Sequence, residues 1–272
     1  MKVGVMVHLG DDVEKSFKDV ADMGMYTCQL VCWDMSKLTD DNAERVKIAV
    51  KQTGVEISAF WCGWSGPQEW NFIDGYHTLG LIPIAYREQR IADLKSGSDF
   101  AEKIGVTDVI THMGFLPENC KTDEYYEVVR AIKEVAEYCK PKGQWLLFET
   151  GQETPITLKR TIEFVGTDNL GINFDPANLL LYGKGNPCDA IDIFGEYIRN
   201  VHGKDGEYPI DPRYLGEEKR IGDGRVNFPL LIAKLKNVGY NGPINIEREI
   251  VGEKQIEDIK YAKSFLEGII NE

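Results

Sequence analysis

The chain has 272 residues, of which 31 are lysine or arginine and 44 are aspartate or glutamate, so its formal net charge is −13. This acidic balance argues against nucleic acid or an anionic membrane surface as a partner, because both require a basic footprint. The length fits one large α/β domain or two small ones. Hydrophobic residues make up 43% of the chain, which is ordinary for a globular protein with a full core.

Strand and helix patterns alternate along the whole chain. The predicted strands cover residues 2–9, 27–32, 55–61, 108–113, 144–151, 171–175, 198–204 and 243–248. The predicted helices cover residues 11–24, 40–52, 84–104, 122–140, 155–165, 186–194, 228–238 and 255–270. The fourth helix illustrates the pattern, because its apolar side chains share one face: Val128, Ile132, Val135 and Cys139. The loop at 62–83 is long enough to be functional.

Eight strand–helix units follow one another without a linker-like stretch, which implies parallel pairing of the strands. Eight such units in about 250 residues predict an α/β fold with a single (β/α)8 TIM barrel over residues 1–272. The alternative is a doubly wound open sheet. To bind a dinucleotide, that fold needs a glycine-rich turn after the first strand, where this chain has HLGDD with one glycine.

The sequence also predicts a cytoplasmic location. The six cysteines contain no C-x-x-C pair, so we expect free thiols in a reducing compartment. The opening MKVGVMVHLG has no basic region followed by a long apolar run, and it is typical of a first strand rather than a signal peptide. No apolar run reaches the roughly 20 residues that a membrane-spanning helix needs.

The four last predicted strands each end near a side chain that can bind a metal ion: Glu149, Asp175, His202 and Glu247. In a parallel barrel the carboxyl ends of all strands open on one face, so these side chains should converge on one cavity. Three carboxylates and one imidazole suit a single Mn²⁺, Mg²⁺ or Co²⁺ ion, and Zn²⁺ is an alternative. One such glutamate alone would more often be an ion-pair partner, whereas four at matching strand ends indicate a metal site.

The residues two positions earlier share a side of each strand with these four: Leu147, Asn173, Asn200 and Asn245. An unpaired buried amide costs about 1–3 kcal/mol, so three asparagines at inward positions call for a reason. Hydrogen bonds that orient the metal ligands would supply one. The alternative is that one or more of the amides point outward or lie at a wet barrel floor.

With these residues in place, the chain resembles the sugar phosphate isomerase/epimerase family, which shares its barrel with xylose isomerase and endonuclease IV. The resemblance covers essentially the whole chain and implies a xylose isomerase-like barrel. Five segments carry it: FET at 148–150, NFDPANL at 173–179, VHGKD at 201–205, IGDGRVNFPLLIAKLKNVGYNGP at 221–243 and NIE at 245–247.

The resemblance also implies roles for individual residues. In the ketose 3-epimerases of this family the metal ligands are Glu, Asp, His and Glu on strands five to eight, which is the order found here. The two glutamates there also act as acid and base, so the resemblance assigns catalysis to Glu149 and Glu247. Two positions differ, because Asn178 stands where those epimerases have a histidine and Tyr208 where they have an arginine, the nearest being Arg213. Hydroxypyruvate isomerase, inosose isomerase and inosose dehydratase are therefore also models for the activity.

Five further residues near the predicted mouth are candidates for binding substrate: His8, Trp61, His112, Asn178 and Lys204. The two histidines end strands one and four, the tryptophan could stack on a sugar ring, and the lysine follows the histidine ligand by two positions. Each has a structural alternative: a buried structural histidine, core packing for the tryptophan, or an ion pair from the lysine to Glu247 or Glu249. The tract RIGDGR at 220–225 lies where barrels often hold phosphate.

These observations predict a divalent-metal-dependent isomerase or epimerase. It would remove a proton next to the carbonyl of a sugar or keto-polyol and form an enediolate. Mn²⁺ is the expected cofactor, a small carbohydrate the expected partner, and the resemblance implies a homo-oligomer. The alternatives are a metal-dependent lyase or dehydratase and a non-catalytic sugar-binding barrel. The acidic charge and the presence of only four histidines argue strongly against a nuclease like endonuclease IV.

Overall fold

The computed structural model describes all 272 residues and contains a closed barrel of eight parallel strands, which confirms the predicted fold class. Around the barrel the order is β1-β10-β7-β6-β5-β4-β3-β2, and β8 and β9 form a separate hairpin. The ten strands are β1 (Val3–His8), β2 (Thr27–Cys32), β3 (Glu56–Cys62), β4 (Asp108–Thr111), β5 (Trp145–Glu149), β6 (Leu170–Phe174), β7 (Ile198–Gly203), β8 (Asp205–Gly206), β9 (Glu218–Lys219) and β10 (Ile244–Ile246).

Ten α-helices follow or connect the strands. They are α1 (Val13–Asp22), α2 (Asp40–Thr53), α3 (Gly75–Thr78), α4 (Ile84–Lys103), α5 (Asp123–Cys139), α6 (Pro155–Val165), α7 (Pro176–Leu181), α8 (Pro187–Phe194), α9 (Phe228–Asn237) and α10 (Glu253–Asn271). Threonine side chains cap α2, α5 and α6 at their first turns. None of the helices combines the length and the apolar composition that crossing a lipid bilayer requires.

Alternate residues of each barrel strand face opposite sides, as the two-residue period of a strand requires. Phe60 and Val109 belong to the large core of 64 buried hydrophobic residues, where the strands pack against the helices. Ala59 and Ile110 belong to a second cluster of ten residues, which extends from the interior of the barrel to the segments at its mouth. All six cysteines are free, as predicted, and five of them are buried.

Helix α7 was not predicted, although the sequence contains its start signal. The Asp175 side chain accepts a hydrogen bond from the Asn178 N–H at 2.9 Å, and Pro176 occupies the first helical position. The helix has only six residues, so no apolar periodicity announces it. The helix nevertheless fixes the position of Asp175, which is one of the predicted metal ligands.

The β8–β9 hairpin lies between the predicted strand at 198–204 and the predicted helix at 228–238, where no strand was predicted. The Asp205 carboxylate holds it by accepting hydrogen bonds from four backbone N–H groups: Gly206 at 2.8 Å, Gly222 at 2.9 Å, Gly224 at 3.1 Å and Val226 at 3.0 Å. Three of these N–H groups, those of Gly222, Gly224 and Val226, lie in or beside the tract at 220–225. Because they are already bonded to a carboxylate of the chain itself, they are not free to bind phosphate.

The long segment between β3 and α4 is held against the barrel by arginines of α4. The Arg90 side chain is fully buried and stacks on Trp64, with its guanidinium carbon 5.2 Å from the ring centre. It donates to three backbone carbonyl oxygens of this segment: Ser65 at 3.3 Å, Pro67 at 2.8 Å and Gly80 at 2.7 Å. Arg87 donates in the same way to the carbonyls of Leu81 and Ile82.

Replacing Arg90 by methionine is expected to lower the free energy of unfolding by about 3 kcal/mol, because buried carbonyls lose charge-assisted donors. Urea unfolding measures the change. The control is Lys95→Met on the same helix, which removes a partly exposed ion pair with Glu134 and should cost less than about 1 kcal/mol. Equal losses in the two variants would show that Arg90 does not anchor the segment.

Candidate active site

The four predicted metal ligands converge at the carboxyl ends of the strands. Glu149 ends β5, Asp175 follows β6, His202 is the last but one residue of β7, and Glu247 follows β10. One side-chain oxygen or nitrogen from each lies within 4.8 Å of every other. Three of the side chains are buried, and that of Glu247 is 20% exposed.

The His202 Nδ1 atom lies at the centre of this cluster. It is 3.0 Å from Oε1 of Glu149, 3.0 Å from Oε2 of Glu247 and 3.6 Å from Oδ2 of Asp175. Three buried atoms of the cluster have no hydrogen-bond partner: His202 Nδ1, Asp175 Oδ2 and Glu247 Oε2. Three carboxylates and one imidazole nitrogen around one point fit the donor set of a divalent cation.

The two glutamates of the cluster have different environments. Burial raises the pKa of Glu149, and the nearby His202 only partly offsets this effect. Burial also acts on Glu247, but Lys204 and His202 outweigh it and hold the pKa of that carboxyl below its usual range. For His202, burial lowers the pKa, yet Glu149 and Glu247 raise it well above its ordinary value. In the absence of a cation, the cluster therefore attracts a proton to the imidazole.

Hydrogen bonds fix the orientation of the Glu149 carboxylate. Its Oε2 atom accepts from the indole N–H of Trp61 at 3.1 Å and from the side-chain amide of Asn173. Its Oε1 atom is thereby directed at His202 Nδ1. Trp61, proposed from the sequence as a surface for stacking on sugar, is only 4% exposed and also orients a predicted ligand.

A chain of buried amides fixes which ring nitrogen of His202 faces the cluster. Asp108 accepts from the Asn200 amide at 3.1 Å, and Asn200 Oδ1 accepts from the Gln29 amide at 3.3 Å. Gln29 Oε1 then lies 2.7 Å from His202 Nε2, and its amide also donates to Asn173 at 2.8 Å. Because an ionised carboxylate only accepts, the polarity of this chain places a proton on Nε2 and leaves Nδ1 facing the carboxylates.

Of the three inward asparagines, only Asn173 contacts predicted ligands directly. Asn200 acts through Gln29, and Asn245 donates to the Ser58 hydroxyl at 3.2 Å, away from the cluster. Gln29 was missed by the sequence reasoning. The available signal was one glutamine in the middle of the otherwise apolar and small strand TCQLVC.

A buried lysine lies beside the cluster. Lys204 Nζ is 2.7 Å from Glu249, 3.3 Å from Glu247 and 3.6 Å from Asp175, and it also donates to Asn178 Oδ1 at 3.4 Å. Burial acts to lower its pKa, but the surrounding carboxylates raise it well above the usual value, so the lysine stays charged. The ion pairs to Glu247 and Glu249 match the structural alternative stated from the sequence.

Glu149 and Glu247 of the cluster line a cavity of about 670 Å³ at the mouth of the barrel. All five residues predicted to bind substrate line this cavity: His8, Trp61, His112, Asn178 and Lys204. Trp33 and Trp70 line it as well and were not predicted. No sequence pattern places these two beside Trp61, because they come from loops whose path depends on tertiary contacts.

The two positions that differ from the ketose 3-epimerases have different locations. Asn178 is at the cavity, whereas Tyr208 lies outside it and donates to the Gly185 carbonyl at 3.2 Å. Arg213 is paired with Asp211 on the surface. Neither Tyr208 nor Arg213 lines the cavity. The basic side chain beside the cluster is instead that of Lys204.

Two other buried titratable groups lie near the cavity. Burial lowers the pKa of His112 to about 3, so its imidazole is neutral, and its Nδ1 atom has no hydrogen-bond partner. Burial raises the pKa of Glu153 to about 8, and the Oε1 atom of this carboxyl is also without a partner. At neutral pH both groups therefore avoid a buried unpaired charge.

Comparison with known proteins identifies the family. A family model described as xylose isomerase-like TIM barrel matches residues 17–267. The chain belongs to the xylose isomerase-like TIM barrel family. This assignment confirms the resemblance seen in the sequence. In this chain the four clustered side chains lie at the carboxyl-terminal end of the barrel.

Three similar proteins illustrate the range of the family. The crystal structure of a xylose isomerase domain protein from Planctomyces limnophilus is 32% identical, covers 98% of this chain and 96% of its own, and superposes with a TM-score of 0.92. A D-tagatose 3-epimerase-like protein of known structure is 23% identical, covers 100% and 97%, and has a TM-score of 0.78. The inosose dehydratase of Lacticaseibacillus casei is 23% identical over 73% of this chain and 68% of its own length.

Glu153→Gln is expected to stabilise the protein at pH 8 and to have little effect at pH 4.5. The pKa of the carboxyl is about 8 in the folded protein and ordinarily 4.5. The contribution of this group to the free energy of unfolding is therefore complete below pH 4.5, where the carboxyl is protonated, and is lost as the pH rises to 8. A neutral amide avoids this loss, and the gain at pH 8 should be at least on the order of 1 kcal/mol.

Urea unfolding at both pH values measures this difference. The control is Glu163→Gln on α6, an exposed position where the change should be small at either pH. A gain for Glu153→Gln that is the same at pH 4.5 and pH 8 would contradict the assignment.

Proposed function

We propose that the protein is a divalent-metal-dependent isomerase or epimerase that acts on a sugar or keto-polyol. The observation that carries the proposal is the set of four side chains around one point, three of which present buried atoms without hydrogen-bond partners. Glu149, Asp175, His202 and Glu247 would hold the ion. Mn²⁺ is the proposed cofactor, with Mg²⁺, Co²⁺ and Zn²⁺ as alternatives.

The bound cation would polarise the substrate carbonyl and acidify the neighbouring C–H group. Glu149 and Glu247 come from β5 and from the end of β10, which are separated by two strands around the barrel, so they reach the substrate from different sides. If one glutamate removes the proton and the other returns it to the opposite face of the enediolate, a stereocentre is inverted. If a single glutamate does both, the result is aldose–ketose isomerisation.

Other residues of the cavity would position the substrate. Lys204 is charged and lies next to Glu247, where it can stabilise negative charge that develops on a substrate oxygen. His112 is neutral and has an unpartnered ring nitrogen, so it can hydrogen-bond a hydroxyl without adding charge. His8 and Asn178 offer further polar contacts at the wall of the cavity, and Trp61 offers an aromatic one.

Dehydration is the second candidate function, because the same base and the same cation would serve it and a relative in the family is named inosose dehydratase. In that case the enediolate loses a hydroxyl from the adjacent carbon instead of regaining a proton. The products differ by one molecule of water, and mass spectrometry distinguishes them.

The direct test combines metal analysis with exchange of substrate hydrogen for solvent deuterium. Purified protein, with and without Mn²⁺, is incubated in D₂O with panels of ketoses, inososes and small keto acids. We expect metal-dependent exchange next to the carbonyl of at least one compound. Glu149→Gln and Glu247→Gln should each lower the exchange rate by about 10²–10⁴-fold.

Two controls make this result specific. Bound metal is measured in every variant, so that loss of an acid or base is separated from loss of the ion. Glu253→Gln, at the exposed start of α10 on the same end of the barrel, should exchange at the rate of the unmodified protein. Exchange that persists in the Glu149→Gln, Glu247→Gln double variant would overturn the assignment of both roles.

Gln29→Met tests the hydrogen-bond chain behind His202. The methionine is similar in shape but cannot accept from Nε2–H, so the imidazole is less well oriented and Mn²⁺ affinity should fall about 10- to 100-fold. Isothermal titration calorimetry measures the affinity. Ser58→Ala removes a barrel hydroxyl that donates to the Cys28 carbonyl at 2.9 Å and accepts from Asn245, without contact to His202, and it should leave the affinity nearly unchanged. Equal affinities in the two variants would exclude a positioning role for Gln29.

A further inference from the structure

We infer that Gln152 is a positioning residue that makes His112 a hydrogen-bond acceptor and Tyr182 a hydrogen-bond donor on the wall of the cavity. Such a pair selects a hydroxyl group of the substrate, because a hydroxyl can donate to the first and accept from the second. A carbonyl oxygen, a carboxylate or a phosphate dianion can only accept. The inference rests on the proposed function in taking the ligand to be the substrate, whereas the state of the imidazole is tested without it.

The Gln152 amide is buried without a partner. The residue is 1% exposed, and neither the nitrogen nor the oxygen of its amide forms a hydrogen bond in this structure. A buried polar group that is left unpaired destabilises the fold, so an amide at this position calls for partners in the working state of the protein. The two candidates, His112 and Tyr182, both line the cavity.

The turn after β5 holds Gln152 beside Tyr182. The Thr150 hydroxyl donates to the Asp175 carbonyl at 2.8 Å and accepts from the Asp175 N–H at 2.8 Å, which fastens the turn to the end of β6. A Cβ atom on Gly151 would lie 3.3 Å from the ring of Tyr182, so the backbone of the turn is close to the end of α7. The turn therefore has little freedom to carry Gln152 away from Tyr182.

The imidazole of His112 is held from two sides by tryptophans. Its ring centre lies 5.6 Å from that of Trp61 and 5.1 Å from that of Trp70. Its Nδ1 atom is buried, so Nε2 is the ring nitrogen that opens on the cavity. Because the ring is neutral, only one of its nitrogens carries a proton. The group that bonds to Nδ1 therefore decides whether Nε2 donates or accepts.

The effect of Gln152 on two pKa values indicates which end of its amide faces each ring. Burial is the main influence, lowering the pKa of His112 and raising that of Tyr182, and Gln152 opposes this influence in both cases. An acceptor beside an imidazole raises its pKa, and a donor beside a phenol lowers its pKa. The amide oxygen thus faces His112, and the amide N–H faces Tyr182.

Hydrogen bonds in this direction define the state of both rings. The Nδ1–H group of His112 donates to the Gln152 oxygen, so the lone pair of Nε2 faces the cavity. The Gln152 N–H donates to the phenol oxygen of Tyr182, whose O–H is left to donate into the cavity. The terminal torsion of a glutamine is broad, so these contacts can reach full hydrogen-bond geometry when substrate binds. Gln152 thereby acts on His112 as Gln29 acts on His202, with the two ring nitrogens exchanged.

The test reads the tautomer of His112 by NMR. The chain has four histidines, so labelling with ¹⁵N-histidine gives few ring signals, and His112→Asn identifies those of His112. Long-range ¹H–¹⁵N spectra at pH 7 distinguish the protonated ring nitrogen from the bare one. The full chain is loaded with Mg²⁺ rather than Mn²⁺, because a paramagnetic ion would broaden the signals. We expect the Nδ1–H tautomer.

Two variants locate the cause. Gln152→Met keeps the size of the side chain and removes the acceptor, so the ring should change to the Nε2–H tautomer, which a free histidine side chain prefers in water. The control is Gln68→Met, which replaces an exposed glutamine of the same cavity and should keep the Nδ1–H tautomer. An Nε2–H tautomer in the unmodified protein, or an Nδ1–H tautomer that persists in Gln152→Met, would overturn the inference.

The selection of a hydroxyl is measured with the compound that exchanges fastest in D₂O. Gln152→Met should raise the KM of this compound about 10- to 100-fold, because the substrate hydroxyl meets misdirected partners. The kcat should change less than about threefold, since Gln152 does not touch the reacting atoms. An unchanged KM would overturn the role in selection. The spectra need no turnover, so a failure of the proposed function is distinguished from a failure of this inference.

Discussion

Negative charge at the barrel mouth is the constraint on which the rest of the site depends. Three carboxylates lie around one imidazole nitrogen, and a fourth, that of Glu249, lies just outside. Two like charges about 4 Å apart repel by roughly 4 kcal/mol at the effective dielectric of a protein surface. One buried lysine and the N–H donors of Trp61 and Asn173 contact these carboxylates, and together they balance only part of the negative charge. A doubly charged cation would balance most of the remainder.

A series of hydrogen bonds connects the interior of the barrel with the imidazole at its mouth. A carboxylate on β4, paired with Arg199, sets the direction of two buried amides, and these in turn set the protonated nitrogen of the imidazole. The arrangement spans four strands, β4, β7, β2 and β6. The polar side chains inside the barrel are thus hydrogen-bonded to one another, and these bonds fix the orientation of the Asn200, Gln29 and Asn173 amides.

The fold and the four clustered residues were predictable from sequence because each depends on local patterns. Strand periods locate the strand ends, and parallel pairing brings those ends together. Glu149 and Asp175 could therefore be placed beside each other although 25 residues lie between them in the sequence. Trp33, Trp70 and Gln29 could not be assigned in this way. Their roles depend on which loop crosses the mouth and on which side chain lies opposite, and these are properties of the tertiary structure.

The carboxylate of Asp205 accepts four backbone hydrogen bonds, and this affects which part of the β8–β9 hairpin can be replaced. This carboxylate holds the base of the hairpin, whereas the hydrogen bonds of the loop tip at 210–214 are local to the tip. Replacing or lengthening this stretch should leave the adjoining imidazole in place. A rim that can be exchanged without disturbing the centre offers engineers a place to graft new recognition loops.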